Sequence, residues 1–164
     1  MLGLHDFTRL HSLSGVETAP ALECLAFGGL IWPSKNYYYV PELENTNLKS
    51  VMFSAAVDME SVLKFLSVDG LQRLDFECNR YPTEFLAWIC ANYPWVEGYC
   101  LKPYMKFENP SDNFAIVCGK RKKTLRDLND QKTRRALDNA AEQFENMKRR
   151  FAGIPFEELQ NIIK

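Results

Sequence analysis

Residues 22–32 are almost wholly apolar, with Gly28-Gly29 inside the run. This reads as a buried strand that bends at the glycines. Pro33-Ser34-Lys35-Asn36 is a turn signal and Tyr37-Tyr38-Tyr39-Val40 has high β-propensity, so together they predict a hairpin. Residues 51–57 are apolar on both faces, the mark of a central strand. Asp58 has the chemistry of a helix N-cap, and residues 59–67 then carry Val62, Leu63, Phe65 and Leu66 on one broad side. Residues 71–78 alternate like a half-covered strand, and Pro82-Thr83 open a second helix bearing Phe85, Leu86, Trp88 and Ile89, stopped before Pro94. Two more strands are expected at 96–107 and 113–119, joined by a polar turn. Ahead of Gly15, the spacing of Leu4, Phe7, Leu10 and Leu13 allows a short helix. No internal repeat stands out.

The last 41 residues differ in kind. Thr124 is placed to cap a helix running to Ala152 and ended by Gly153, about 28 residues or ~42 Å long. Leu137, Ala140, Phe144, Met147 and Phe151 follow a 3-4-3-4 spacing on it, a coiled-coil-like seam of two heptads. Pro155 starts a closing helix with Phe156, Leu159, Ile162 and Ile163. The alternation of strands and helices predicts an α/β domain over residues 1–120 with a helical extension over 121–164. Charge follows the same division. Residues 1–119 hold 8 Lys/Arg against 14 Asp/Glu, and residues 120–164 hold 12 against 7.

Composition narrows the classes. Apolar residues make up 46% of the 164 and aromatics 13%, enough for a packed core and far from the composition of a disordered chain. No apolar run reaches the ~18 residues that a membrane helix needs, and His5, Asp6 and Arg9 interrupt any signal-like run at the start. Cys24, Cys78, Cys90, Cys100 and Cys118 show no C-x-x-C spacing and sit beside apolar residues, as reduced, buried thiols of a cytoplasmic protein do. With only His5 and His11 to join them, no metal site is expected.

The stretch Arg73-Leu74-Asp75-Phe76-Glu77-Cys78-Asn79, the helix segment Phe85-Leu86-Ala87-Trp88-Ile89-Cys90-Ala91-Asn92-Tyr93 and the step Val96-Glu97-Gly98 together resemble the C-terminal half of the GNAT N-acetyltransferase superfamily. They are most similar to the GNAT-like proteins of short-tailed bacteriophages. The resemblance implies a mixed, mostly antiparallel sheet flanked by helices, with acetyl-CoA held on a glycine-rich loop. The matching segment here is Phe53-Ser54-Ala55-Ala56-Val57-Asp58-Met59-Glu60, which has no glycine and puts two carboxylates where phosphates would lie. The family's general-acid Tyr falls on Trp88, whose indole N–H cannot protonate a thiolate. Residues 1–20 are also too few for the family's first strand and two helices.

The resemblance, read with these departures, implies a fold that has given up catalysis and serves as a protein-binding or assembly component, with a phage particle or an infected cell as its setting. It needs no cofactor. The helix seam Leu137, Ala140, Phe144, Met147 and Phe151 is then the expected docking element for a protein partner or a second copy. The alternative is a working acetyl-CoA-dependent acyltransferase. It would use Phe53, Ser54, Ala55 and Ala56 to hold the cofactor and Glu77 as base. A further alternative is a small phage inhibitor that binds a host enzyme. Nucleic acid ranks behind these, because Asp127, Asp130, Asp138, Glu142 and Glu145 interleave with the bases of the C-terminal segment and suit a solvated, self-paired helix.

Overall fold

A computed structural model describes residues 1–5, 12–28, 37–43, 46–109, 112–120 and 123–164. It is a mixed α/β chain of two compact units, Met1–Phe76 and Glu77–Lys164. The boundary expected at residue 120 therefore falls inside the second unit.

Unit 1 is built on four strands: β1 (Leu2–His5), β2 (Cys24–Gly28), β3 (Ser50–Phe53) and β4 (Arg73–Phe76). They pair in the order β1-β2-β3-β4, every neighbour parallel. One helix, α1 (Met59–Leu66), lies between β3 and β4 in the chain. The expected Asp58 cap is present: its carboxylate accepts from the Ser61 amide at 2.6 Å.

The register explains why the strands stack in this order. Leu25, Val51 and Leu74 are mutual partners, as are Phe27, Phe53 and Phe76. Leu22, Leu48 and Leu71 precede them three residues upstream of each first partner, and all nine side chains are buried. The pattern Leu-x-x-(Leu/Val)-x-Phe thus recurs three times, at intervals of 26 and 23 residues. That period is the internal repeat that hydropathy alone did not disclose, and it is a solenoid-type spacing. Phe53 stacks on Phe27 at 5.4 Å and on Phe76 at 5.3 Å between ring centroids, and Phe65 of α1 closes over the first two. The backbone repeats too. Glu23 O accepts from the amides of Lys49 and Ser50 at 2.8 and 3.0 Å, and Lys49 O accepts from those of Gln72 and Arg73 at the same two distances.

Several expectations are corrected by this arrangement. The predicted hairpin does not form. β2 has parallel partners on both sides, Tyr39 makes only a single parallel bridge to Ser12, and residues 29–36 of the expected turn lie outside the described residues. Residues 2–5 are a strand rather than the start of a helix, because Leu2 and Leu4 align with Leu25 and Phe27 at the head of the ladder. In place of one mostly antiparallel sheet there are two sheets, and the larger is wholly parallel.

Unit 2 contains α2 (Thr83–Asn92), the antiparallel meander β5 (Tyr104–Asn109), β6 (Asp112–Val117) and β7 (Lys123–Arg126), then α3 (Gln131–Phe151) and α4 (Phe156–Ile163). The long C-terminal helix is shorter than expected because Thr124 is a strand residue opposite Ile116. Asp130 is the true cap, its carboxylate accepting from the Thr133 amide at 3.0 Å. β-Branched Thr124 and flanking Leu125 fit a pleated edge, and Asp127 turns the chain with a left-handed φ of 58°.

Truncating the middle ring of the ladder, Phe53→Ala, should destabilise the protein by about 3–5 kcal/mol in urea unfolding, since the cavity would separate two rings. Gly28→Ala should also be destabilising. Its φ is 149° and a Cβ there would lie 2.0 Å from Ser54 Oγ, so loss of at least ~1 kcal/mol is the expected reading in the same assay.

Candidate functional site

The residues nominated from sequence for an acyl-CoA site have these places in the fold. Phe53 is the buried centre of the ladder, and Ala55 is buried behind it. Ser54 packs against Gly28, while its amide donates to Phe27 O at 3.1 Å. Ala56 O accepts from the Tyr38 amide at 2.8 Å. The carboxylate of Asp58 lies on the first turn of α1, where it supplies the negative charge a phosphate would otherwise bring. Glu77 is half exposed and paired with Arg80 at 3.0 Å, so its oxygens face a cation rather than a proton to abstract.

The seam nominated for docking is covered within its own unit. Leu137, Phe144 and Phe151 are all buried, and Ala140 and Met147 are partly so. α3 packs on α2, whose Phe85, Leu86 and Ile89 are fully enclosed. The join is pinned by polar groups. Asn92 donates to Phe151 O at 3.0 Å and accepts from the Gly153 amide at 2.9 Å, so one amide side chain closes the C-terminus of α3. Trp88 donates its indole N–H to Ile154 O at 2.7 Å while its ring meets Phe156 of α4 at 5.5 Å. Trp88 is therefore a structural donor.

The thiols follow the sequence reading. All five cysteines are free, and Cys78, Cys100 and Cys118 are buried. Burial pushes the Cys118 thiol up to about 12, with Cys78 beside it adding to the shift, and pushes Cys90 up to about 11. Neither is a nucleophile at neutral pH. Among the described residues no group of His, Cys, Asp and Glu is arranged to hold a metal ion, and no helix is long and apolar enough to cross a membrane.

What remains is a surface that hydropathy did not single out. On the side of the parallel sheet opposite the ladder, the row Gly3, Ala26, Met52 and Asp75 runs across all four strands, flanked by Cys24, Ser50 and Arg73. Met52 is 49% exposed at the centre of this face. Asp75 is buried and accepts from Arg73 Nε, so the only charges in the row neutralise each other. The signal that finds this face is the repeat itself: once Leu-x-x-(Leu/Val)-x-Phe is aligned, the residue between the last two apolar positions must face away from the core. No protein-family model matches this chain, and neither a curated protein nor a solved structure matches it.

Two outcomes follow from the polar pins and the thiols. Asn92→Ala leaves the Phe151 carbonyl and Gly153 amide without their partner and should cost about 1–3 kcal/mol in thermal or urea unfolding. For the thiols, the folded-state values lie above the ~8.5 of an unfolded cysteine, so the unfolded chain releases protons first. Stability should be unaffected below pH 8 and fall as pH rises from about 9 towards 12, and Cys118→Ala should flatten that fall in a pH series of unfolding curves.

Proposed function

We propose that this chain is a protein-interaction module without a catalytic centre, in which unit 1 is a short repeat scaffold of the leucine-rich type and its open strand face receives a protein partner. The observation that carries this reading is the unbroken parallel order of four strands on a thrice-repeated Leu-x-x-(Leu/Val)-x-Phe core. Repeats of this length bury one continuous core and leave a broad sheet face free for binding. Gly3 and Met52 are exposed on this face while Ala26 and Asp75 are buried in it, and the flexible, polarizable Met52 at its middle suits contact with another protein surface. An assembly or inhibitory role, the broad expectation from sequence, is kept. The docking element moves from the covered seam of α3 to this face.

A photo-crosslinking residue at Met52, introduced in the producing cell, should give one discrete adduct, while the same residue at exposed Glu17 should give none. Met52→Arg should abolish the adduct-forming complex and leave the unfolding midpoint unchanged, because the side chain adds nothing to the core. The acyltransferase alternative is tested by calorimetric titration with acetyl-CoA, at protein concentrations that detect ~100 μM affinity. No heat is expected, and binding in that range would overturn the proposal.

A further inference from the structure

The polar pattern of unit 2 changes when its strands are laid in register. Tyr104, Val117 and Lys123 stand together at one end of the β5–β6–β7 sheet, while Asn109 and Asp112 close the other. Pro103 O accepts from the Cys118 amide at 3.0 Å, so the chain leading into β5 and the chain leaving β6 stay together beyond that end. Lys102, Lys120 and Lys123 therefore collect at one end of the sheet, with Arg121 and Lys122 between the last two in sequence. Residues 98–107 and 113–126 contain seven Lys and Arg and no Asp or Glu. Of the acids around this region, exposed Glu97 precedes Tyr99 by two residues, while Glu108, Asp112, Asp127 and Asp130 lie towards the opposite end or on the turn after β7.

Lys102, Lys120, Lys123 and Arg126 are exposed, and among the described residues none of them makes an ion pair. The acids nearest Arg126 are occupied instead: Asp127 Oδ1 accepts from Asn113 and from the Asn129 amide, and Asp130 caps α3. Aromatic surface lies beside the charge. Tyr99 is 60% exposed, with Lys102 Nζ 5.8 Å from its ring centroid. Tyr104, Ala115 and Leu125 pack with Leu128 and Leu137, so the alternate residues of the strands turn to the other face of the sheet. There Phe107 and Phe114 stack across the strands at 4.7 Å, both partly exposed, with Arg126 opposite Phe114.

We infer that this basic end of the β5–β6–β7 sheet binds single-stranded nucleic acid, the phosphates lying along Lys102, Lys120 and Lys123 and a base stacking on Tyr99. Charge complementarity selects a polyanion: the cations form a track, and each phosphate they meet releases condensed counterions. The exposed ring of Tyr99 selects an unpaired strand among polyanions, because only splayed-out bases offer π-faces to an aromatic side chain. This inference goes beyond the protein-binding role of unit 1 and does not depend on it. The interleaved acids that argue against nucleic acid on α3 lie outside this surface.

The test is fluorescence anisotropy of the full chain with labelled oligo(U) and oligo(dT), beside a mixed-sequence duplex, poly-glutamate and anionic lipid vesicles. Micromolar binding of a single strand is expected near 50 mM salt, with a log–log salt slope of about −2 for the three phosphates met by Lys102, Lys120 and Lys123. Lys120→Glu with Lys123→Glu should weaken binding more than about tenfold and make the slope shallower. Tyr99→Ala should weaken it about tenfold while leaving the slope unchanged. Arg149→Glu, on the exposed side of α3, should leave binding within about twofold. The oligo(U) and oligo(dT) arms identify which single strand is preferred, and either preference supports the inference. No binding at ~100 μM protein overturns it. Duplex, poly-glutamate or vesicles bound as tightly as the single strands overturn it as well, as does an Arg149→Glu loss equal to that of the lysine variants.

Discussion

Unit 1 depends on one constraint, the in-register stacking of Phe27, Phe53 and Phe76 above Leu25, Val51 and Leu74. A parallel sheet with consecutive neighbours cannot be closed by hairpins; each strand must be reached by a full crossover, and the crossovers must return the chain to the same height. The aromatic ladder sets that height. Rings 5.3–5.4 Å apart at their centroids fit the spacing of adjacent strands, so a slip by one residue would turn three phenylalanines out to water. The paired amide bonds to Glu23 O and Lys49 O are the backbone counterpart of the same register.

Unit 2 solves a different problem. Its helices are amphipathic and its sheet has three short strands, so the core depends on α2, which is apolar on nearly every side. α3 and α4 each lay one stripe against it, and Asn92 and Trp88 satisfy the carbonyls exposed where α3 ends. This accounts for the burial of a seam that, read alone, looks like an oligomerisation surface. A helix with a 3-4 stripe needs a partner, and here the partner is a helix of the same unit.

The polar groups then fall into two kinds. Those used structurally are paired: Asp58 and Asp130 cap helices, Arg73 meets Asp75, and Arg80 meets Glu77. Lys102, Lys120 and Lys123, at one end of the β5–β6–β7 sheet, make no ion pair among the described residues. Burial raises the thiols that would otherwise be the reactive groups, and the candidate base carries a counter-ion.

Local signals were legible where a residue acts on its own neighbours. Asp58 as a cap, the opening of α2 at Thr83, the Pro155 start of α4 and the burial of Cys78, Cys100 and Cys118 all follow from short-range chemistry that the sequence carries intact. Charge segregation between the chain's two ends was legible for the same reason. Pairing was not. The continuous apolar run at 22–28 suits a strand of either polarity, and only the match of Phe27 to Phe53 made it parallel. Thr124 is as good a cap as Asp130 on paper; its pairing with Ile116 removed it from the helix. The seam on α3 declared that it would be buried without saying against what, because hydrophobic burial is non-directional and its partner is chosen by the shape of the remaining fold. The sequence by itself therefore determined which residues leave water and which end their elements. Tertiary structure alone decided which buried faces meet.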